Sequence, residues 1–476
     1  MSEPRLIPLR DPRTGAPDGA IEAPNDAAFD ALCARLRAAQ PAWAALPIKA
    51  RAEALLALRT AIAGEADAIA EGLERDTGRR AIAKTEVNGV LGALAGWAGQ
   101  AAHLVQADWV QGRSAPHLKH APNFKPYPLV GVISPWNFPL TLAMIDTVPA
   151  LLAGCAVIVK PSEVTPRFIN ALRRAVALAP DVAKVLAFVD GDGATGAGLC
   201  ARADAICFTG SVATGRKVAL ACAERLIPAF LELGGKDPLI VLDSAPLDHA
   251  VTAALRGSVL ATGQACQSIE RIYVARTLYR AFIEKLATAA AAAPLNWPDI
   301  AAGQVGPLIF AKQAEIIAAQ LQDAYAKGAR ALTGGAIESH GGGLWLKPTV
   351  LVGVTHDMAI MREETFGPVM PVMAFDSTDE AVALANDSVF GLSGAVFAGT
   401  LAQAEAVARR LECGAVSLND AALTALFYEA EKNSFKQSGL GGSRMGLAGF
   451  QRFLRRQALI ANTAAPTPLS AFAENG

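Results

Sequence analysis

Hydrophobic and polar positions follow two different periods along this chain. Residues 26–105 are rich in Ala, Leu, Arg and Glu at helical spacing, which predicts several helices. From residue 128 onwards, short apolar runs alternate with helical stretches. A second series of the same kind begins at 238–243 and continues to about residue 420. Strands that alternate with helices predict an α/β fold built on parallel sheets.

The first α/β series can be divided into individual elements. The pattern predicts strands at 130–134, 155–160, 184–189, 204–208 and 228–233, helices at 138–152, 166–178 and 212–226, and a glycine-rich loop at 191–196. Ligands of such sheets bind outside the carboxyl ends of the strands. The loops expected at that edge are 134–139, 160–163, 191–196 and 209–211.

Two stretches lack these periods. Residues 106–127 are polar and carry prolines, which predicts an extended or hairpin excursion. The tail after residue 460 has no periodicity and is expected to be loop-like.

Composition narrows the classes of protein that this chain can be. A length of 476 residues suggests two or three domains, and a net charge of −1 gives no basic field for nucleic acid or an anionic membrane. The N-terminus lacks an apolar signal region, and Asp146 and Pro149 interrupt the longest apolar stretch, 138–159. Seven scattered cysteines without CxxC spacing argue against a disulfide framework or a zinc site. We therefore expect a cytoplasmic protein with no metal.

Two residues are candidates for covalent chemistry. Cys266 ends the sequence Gly-Gln-Ala-Cys, and a thiolate attacks aldehyde carbons readily. The alternative is that Cys266 is one more small buried hydrophobe. Glu232 follows an apolar strand and precedes two glycines, and burial there would make it a competent general base. The alternative is a strand-end glutamate in solvent.

Three further motifs are candidates for binding. Asn137 in Pro-Trp-Asn-Phe-Pro offers an amide to an oxyanion, or merely caps the following helix. The glycine turn at 208–215 presents free amides to a phosphate, although Ser211 is also an ordinary helix cap. Lys160 and Glu163 in Lys-Pro-Ser-Glu could hold ribose hydroxyls, or form a solvated charge pair.

Taken together, these segments resemble the aldehyde dehydrogenase superfamily from about residue 10 to 460. Six motifs stand in the family's order: VGVISPWNFP (130–139), KPSE (160–163), FTGSVATG (208–215), LELGGK (231–236), GQAC (263–266) and EETFGPV (363–369). The 34-residue step from Glu232 to Cys266 also matches. Each motif alone is weak, but six in order are specific.

The resemblance implies a role for each matching residue. Cys266 attacks the aldehyde, Asn137 and the backbone N–H of Cys266 hold the oxyanion, hydride passes to NAD or NADP, and Glu232 activates the water that hydrolyses the thioester. The residues expected along the cofactor are Ile133, Ser134, Pro135, Trp136, Lys160, Ser162, Glu163, Gly193, Gly210, Ser211, Gly215, Leu233, Glu364 and Phe366. Glu364 and Phe366 would hold the nicotinamide ribose and ring. The residues expected along the substrate are Phe138, Leu142, Ile145, Ala265 and Gln267.

The family's architecture also implies a division of the chain. Residues 1–105 and 128–236 would form a Rossmann-type NAD(P)-binding domain, and residues 237–445 a catalytic domain. Residues 106–127 and 446–476 would form a β oligomerisation arm and the tail. The arm implies a homodimer or homotetramer, and the resemblance implies a small aldehyde as the substrate. The sequence departs from the family at 431–439, where many members carry Pro-Phe-Gly-Gly before Lys-x-Ser-Gly.

Other activities remain possible on the same residues. A CoA-acylating dehydrogenase would use the same thioester, but relatives of that kind typically lack the general-base glutamate. A thiol esterase would need no cofactor, which the glycine loops and Lys-Pro-Ser-Glu argue against. A non-catalytic binding protein is disfavoured by the intact Cys266, Glu232 and Asn137. The positions expected beside Cys266 carry no cation, which predicts an uncharged apolar or aromatic aldehyde.

Overall fold

The computed structural model describes residues 5–105 and 108–474. The chain opens with an antiparallel hairpin, β1 (Arg5–Arg10) and β2 (Pro17–Ala23), which the sequence pattern did not predict. The helices predicted within 26–105 are present as α1 (Asp26–Ala45), α2 (Ile48–Gly64), α3 (Ala66–Thr77) and α4 (Arg80–Gln100).

The first α/β series follows these helices. Its elements are β3 (Val110–Gln111), β4 (Leu118–Pro126), β5 (Leu129–Ile133), α5 (Pro139–Ala153), β6 (Ala156–Lys160), α6 (Phe168–Ala177), α7 (Pro180–Ala183), β7 (Leu186–Phe188), α8 (Gly193–Cys200), β8 (Ala205–Thr209), α9 (Val212–Glu224) and β9 (Ala229–Glu232). Every residue of β5, β6 and β8 is buried, because both faces of the sheet are covered. The five strands are parallel in the order β7-β6-β5-β8-β9. The order reverses between β5 and β8, and this is where such sheets bind ligands.

The second series contains its own sheet. Its elements are β10 (Asp237–Val241), α10 (Leu247–Val259), β11 (Ile269–Ala275), α11 (Arg276–Ala291), α12 (Ala311–Ala326), β12 (Arg330–Ala331), β13 (Ile337–His340), β14 (Gly343–Leu346), β15 (Thr349–Val352), α13 (Ala359–Arg362), β16 (Val369–Phe375), α14 (Thr378–Asn386), β17 (Phe390–Gly391), β18 (Ser393–Phe397), α15 (Leu401–Ala408) and β19 (Ala415–Leu418). Seven strands pair in the order β12-β15-β16-β11-β10-β18-β19. Except for the β12–β15 pair, the neighbours are parallel, so the predicted parallel α/β fold is confirmed.

The last part of the chain returns to the first sheet. Its elements are β20 (Phe435–Lys436), β21 (Gly439–Leu440), α16 (Gly446–Gln451) and β22 (Leu454–Asn462). β21 pairs antiparallel with β9, and Phe450 and Phe453 pack into the core of the first series. β22 pairs along its whole length with β4, and β3 pairs with the other edge of β4. The proposed division into domains stays a prediction.

Two expectations about local structure were wrong. The segment predicted as a loop at 191–196 contains the start of α8, because Asp192 caps that helix by accepting from the amide of Ala194 (2.9 Å). The tail after 460 is not loop throughout, since β22 extends to Asn462 and a 3₁₀ turn spans Leu469–Phe472.

The predicted excursion at 106–127 contains β3 and β4, but residues 106–107 lie outside the described ranges. Among the described helices, none has the length and apolar character that a membrane span requires.

Candidate active site

The loop that carries Cys266 runs from α10 to β11 in a strained conformation. The three residues 261–263 all have positive φ, between 55° and 66°. At Gly263 only glycine fits, because an added Cβ would lie 2.4 Å from the carbonyl of Gly367. Backbone strain of this kind persists where the surrounding structure over-determines it, and it clusters at functional sites.

Gln264 anchors this loop two residues before the cysteine. Its buried side chain donates to the carbonyl of Pro307 (3.1 Å) and accepts from the amide of Ile309 (3.0 Å). Its backbone carbonyl accepts a hydrogen bond from Nδ2 of Asn137 (2.9 Å). The guanidinium of Arg79 donates to the backbone carbonyl of Asn137. The asparagine and the cysteine loop are therefore directly joined.

Asn137 does not cap the helix that follows it. α5 begins without a side-chain cap from its own N-terminal residues. Glu86 of α4 reaches that end instead and accepts from the amides of Leu140 (3.1 Å) and Thr141 (3.0 Å). The side-chain amide of Asn137 has two N–H groups, and the cysteine loop uses one of them. The other remains to donate to an oxyanion.

Glu232 is the last residue of β9, and two side chains from the segment 429–439 hold its carboxylate. Nζ of Lys432 lies 2.6 Å from Oε1, and the hydroxyl of Ser434 donates to Oε2 over 3.1 Å. The Lys432 side chain is 7% exposed and that of Glu232 is 16% exposed. The carboxylate is thus largely shielded from water, unlike an ordinary strand-end glutamate.

The thiol of Cys266 is protonated at neutral pH in this state. Desolvation, followed by the negative charge of Glu232, raises the pKa of Cys266 to about 12, while the positive charge of Lys432 acts to lower it. The thiolate is the nucleophilic form of cysteine. Activation therefore needs an additional positive charge or a base when the substrates are bound.

The residues predicted to line the cofactor lie at the carboxyl ends of the first sheet's strands. The hydroxyl of Ser134 is buried and has no hydrogen-bond partner in the described part of the chain. Lys160 is buried and pairs with Glu163 over 2.9 Å, so this charge pair is only partly solvated. Ser211 caps α9 by accepting from the amide of Thr214 (3.3 Å). Ile133, Pro135, Trp136, Ser162 and Leu233 also lie at these strand ends.

The three predicted glycines differ in what surrounds them. An added Cβ on Gly210 would lie 2.6 Å from the ring of Phe208, and on Gly215 it would lie 2.5 Å from Leu233. Both glycines therefore permit close packing around the start of α9. Gly193 is the first residue of α8, with open space where its Cβ would be.

Glu364 and Phe366 approach the same region from the second series. Oε1 of Glu364 accepts from the amide of Gly235 (3.0 Å), close after the end of β9. Desolvation, followed by the charge of Glu270, raises the pKa of Glu364 to about 8. The ring of Phe366 meets that of Trp136 edge-on, with 5.3 Å between the ring centroids. These contacts join the two predicted halves of the cofactor site.

The predicted substrate positions share one property. All are partly exposed: Phe138, Leu142, Ile145, Ala265 and Gln267. Oε1 of Gln267 accepts from the hydroxyl of Thr424 (2.6 Å), which holds the segment 423–428 beside the cysteine loop. The last three residues of this segment are apolar or aromatic and are 65%, 54% and 44% exposed.

Three cations could have supplied positive charge to a substrate, and each is paired within the protein. Lys432 binds Glu232, as described above. Lys436 donates to the backbone carbonyls of residues 386 and 388 (2.8 and 3.0 Å). Arg444 is buried and binds Asp146 (2.7 Å) and the hydroxyl of Thr209 (2.8 Å).

Several residues that position this site were not predicted from the sequence. Arg79 and Glu86 hold the segment after β5, and Ser434 holds Glu232. Tyr428 lies near Arg444 and Cys266. The sequence does not indicate that such a residue is functional, because most single polar residues in helices and loops are solvated.

The family model "Aldehyde dehydrogenase family" matches residues 1–459. The chain belongs to this family. The resemblance noted above is thereby confirmed.

This aldehyde dehydrogenase is similar to named relatives over nearly its whole length. It is 37% identical to a Mycolicibacterium smegmatis protein provisionally named succinate-semialdehyde dehydrogenase [NADP(+)], over 90% of this chain and 83% of the relative. A structure from Anabaena variabilis, provisionally named aldehyde dehydrogenase PutA, is 50% identical with a TM-score of 0.95, covering 98% of this chain and 99% of that one. A Mycobacterium tuberculosis aldehyde dehydrogenase in complex with NAD⁺ is 31% identical with a TM-score of 0.89, over 97% and 96% of the two chains.

The protein is an NAD(P)-dependent aldehyde dehydrogenase. The site fits such a cofactor on structural grounds. The unpartnered hydroxyl of Ser134 and the first amides of α9 can bind polar groups of a dinucleotide. Glu364 offers its carboxyl group to a ribose from the other side.

Proposed function

We propose that this enzyme oxidises an uncharged aldehyde to the free carboxylic acid through a thioester on Cys266. The observation that carries the proposal is the hydrogen bond from Asn137 to the loop of Cys266, two residues before the thiol. Glu232 lies close enough for its charge to raise the pKa of the same thiol. A nucleophile, an oxyanion donor and a general base therefore belong to one site.

The residues act in sequence. The thiol of Cys266 first loses its proton to solvent, and the thiolate sulfur then bonds to the aldehyde carbon. The resulting oxyanion accepts from the side-chain amide of Asn137 and the backbone N–H of Cys266. When bound, NAD(P)⁺ would supply the hydride acceptor, and loss of the hydride would leave a thioester on Cys266. Glu232 then takes a proton from the water that attacks this thioester.

Release of free acid, rather than acyl-CoA, is supported by Glu232. Its carboxylate is present and held in place by Lys432 and Ser434. A CoA-acylating enzyme has no need of a group that activates water. A cofactor-free thiol esterase is the third candidate, and nothing in this site favours it over the dehydrogenase.

The substrate class follows from charge and polarity. Lys432, Lys436 and Arg444 are each paired within the protein. A substrate carboxylate or phosphate beside Cys266 would therefore be buried without a partner, at a cost of several kcal/mol. The exposed apolar side chains of 426–428 instead favour an apolar or aromatic aldehyde.

Two further properties belong to the proposal. Glu163 would accept from the 2′-hydroxyl of the adenosine ribose, which favours NAD⁺ over NADP⁺. The ribbon of β22, β4 and β3 would pair with a second copy of the chain to form a homodimer or homotetramer.

The test is a panel of aldehydes assayed by NADH or NADPH absorbance with both cofactors, with and without CoA. We expect acid formation with NAD⁺, no acyl-CoA, and activity below a few per cent in Cys266→Ala. Cofactor binding should persist in that variant. Acyl-CoA as the main product, or hydrolysis of esters without any aldehyde oxidation, would contradict the proposal.

A further inference from the structure

Segment 429–439, where this chain departs from its family's Pro-Phe-Gly-Gly pattern, passes directly over the end of β9. The segment leads into β21, in which Gly439 pairs with Glu232 and Leu440 pairs with Leu231. This antiparallel pairing fixes the path of the preceding residues. It brings two polar side chains, Lys432 and Ser434, to the carboxylate of Glu232.

Both oxygens of Glu232 are engaged by this segment. Nζ of Lys432 contacts Oε1 (2.6 Å) and the Ser434 hydroxyl donates to Oε2 (3.1 Å). The backbone of Lys432 is itself anchored, because its N–H donates to the buried hydroxyl of Ser443 (3.1 Å). Arg444 is near enough for the charge of Glu232 to act on it, but it is already bound to Asp146. Of the described residues, Lys432 is therefore the cation that directly contacts Glu232.

Loss of this cation would leave the carboxylate less firmly held. Among the described residues, Lys432 is the ionic partner of Oε1, and without it only the Ser434 hydroxyl still binds the carboxylate. A general base must lie within hydrogen-bond reach of the water whose proton it takes.

We propose that Lys432, supported by Ser434, is a positioning residue that keeps the carboxylate of Glu232 aligned for hydrolysis of the thioester. This inference rests on the proposed role of Glu232 as the general base. In the step concerned, the water oxygen bonds to the thioester carbon and the water proton passes to Glu232. The C–S bond breaks, its electron pair returns to the sulfur of Cys266, and the acid leaves. Lys432 acts on this step through Glu232, which takes no part in hydride transfer.

The experiment is rapid mixing of the enzyme with NAD⁺ and hexanal, which separates the first NADH formed from steady-state turnover. Lys432→Met should give a burst whose amplitude stays near one NADH per site, followed by turnover slower by on the order of tenfold to a hundredfold, below the full range for a general base. Lys432→Arg should restore most of the turnover, since it keeps the cation. Lys436→Met removes an exposed lysine from the same segment and should behave as wild type.

Glu232→Gln tests the role of Glu232 separately from that of Lys432. It should also preserve the burst and slow turnover, and adding Lys432→Met to it should lower turnover by less than about twofold, as coupled residues do. If Lys432→Met fails to fold, Ser434→Ala replaces it, with a several-fold loss in turnover alone.

Three results would overturn the inference: equal loss of burst and turnover in Lys432→Met, unchanged turnover in that variant, or a raised KM for succinic semialdehyde alone. The last would make Lys432 a substrate-binding residue. If Glu232→Gln itself leaves turnover unchanged, the proposed role of Glu232 fails instead.

Discussion

The side-chain amide of Asn137 and the backbone carbonyl of Gln264 are joined by a hydrogen bond of 2.9 Å. This bond connects the edge of the first sheet to the loop of the nucleophile, although 127 positions separate the two residues. The partner of Asn137 is thus the cysteine loop and not the helix behind it. Substitution of Asn137 should therefore affect chemistry more than stability.

We expect Asn137→Ala to lower kcat by roughly 10²–10³-fold, the usual scale for one oxyanion donor. Cofactor binding and the melting temperature should change little, because Glu86 holds the start of α5 without help from Asn137. Steady-state kinetics with saturating NAD⁺ and a thermal melt provide the measurements. A loss below tenfold, or a large drop in melting temperature, would favour a structural role.

The reactivity of Cys266 should depend steeply on pH. Its pKa, raised to about 12, leaves the thiol protonated throughout the range from pH 7 to 9. Alkylation of the cofactor-free enzyme by iodoacetamide should therefore accelerate by about tenfold per pH unit over this range, since only the thiolate reacts. Glu232→Gln removes a negative charge and should speed alkylation at any one pH. A rate that levels off by pH 8 would show a stabilised thiolate instead.

The sequence predicted the parallel sheets, because apolar strands such as 155–160 alternate visibly with helices. It also predicted that Asn137, Glu232 and Cys266 matter, through their motifs. It did not predict that Lys432 binds Glu232, since the two are 200 positions apart and their contact depends on the pairing of β21 with β9. The hairpin at 5–23 was missed because its alternation is weak and its residues are mostly exposed.

Glu163 should make the enzyme prefer NAD⁺. Arg167, the nearby cation that could bind a 2′-phosphate, is committed to Asp76 and Asp18 in the structure. Lys160 is paired with Glu163 itself. We expect kcat/KM to be higher with NAD⁺ than with NADP⁺, and Glu163→Gln to narrow the difference by about tenfold, as loss of one charge repulsion would. Equal or better kcat/KM with NADP⁺ in the wild type would contradict this.

The ribbon formed by β22, β4 and β3 should mediate self-association. β22 has nine residues, most of them exposed, and its outer edge is unpaired among the described residues. Ile460 on this strand is 69% exposed. An unpaired edge of this length, with an exposed apolar side chain on it, pairs readily with another chain. Light scattering at micromolar concentration should therefore show a dimer or tetramer, and Ile460→Lys should weaken it. If the wild-type protein is a monomer, the predicted self-association through this ribbon is wrong.

The choice of substrate should depend on how Lys432, Lys436 and Arg444, the cations considered near Cys266, are paired within the described part of the chain. The side chains at 426–428 offer apolar surface, and Lys432, Lys436 and Arg444 are paired elsewhere. Each buried methylene should contribute about 0.8 kcal/mol, or roughly fourfold per carbon in kcat/KM, until the pocket is filled. We expect hexanal and benzaldehyde to have higher kcat/KM than succinic semialdehyde at fixed NAD⁺.

Succinic semialdehyde is the main alternative substrate to test, because the relative from Mycolicibacterium smegmatis is named for it. Gln267→Arg would place a cation next to Cys266 and should raise kcat/KM for the semialdehyde relative to hexanal, since it gives the carboxylate a partner. Gln267→Met, of similar length and uncharged, is the matched control and should leave that ratio unchanged. If the wild-type enzyme already prefers the semialdehyde, the apolar assignment is wrong, and one of the three paired cations must exchange its protein partner for the substrate carboxylate.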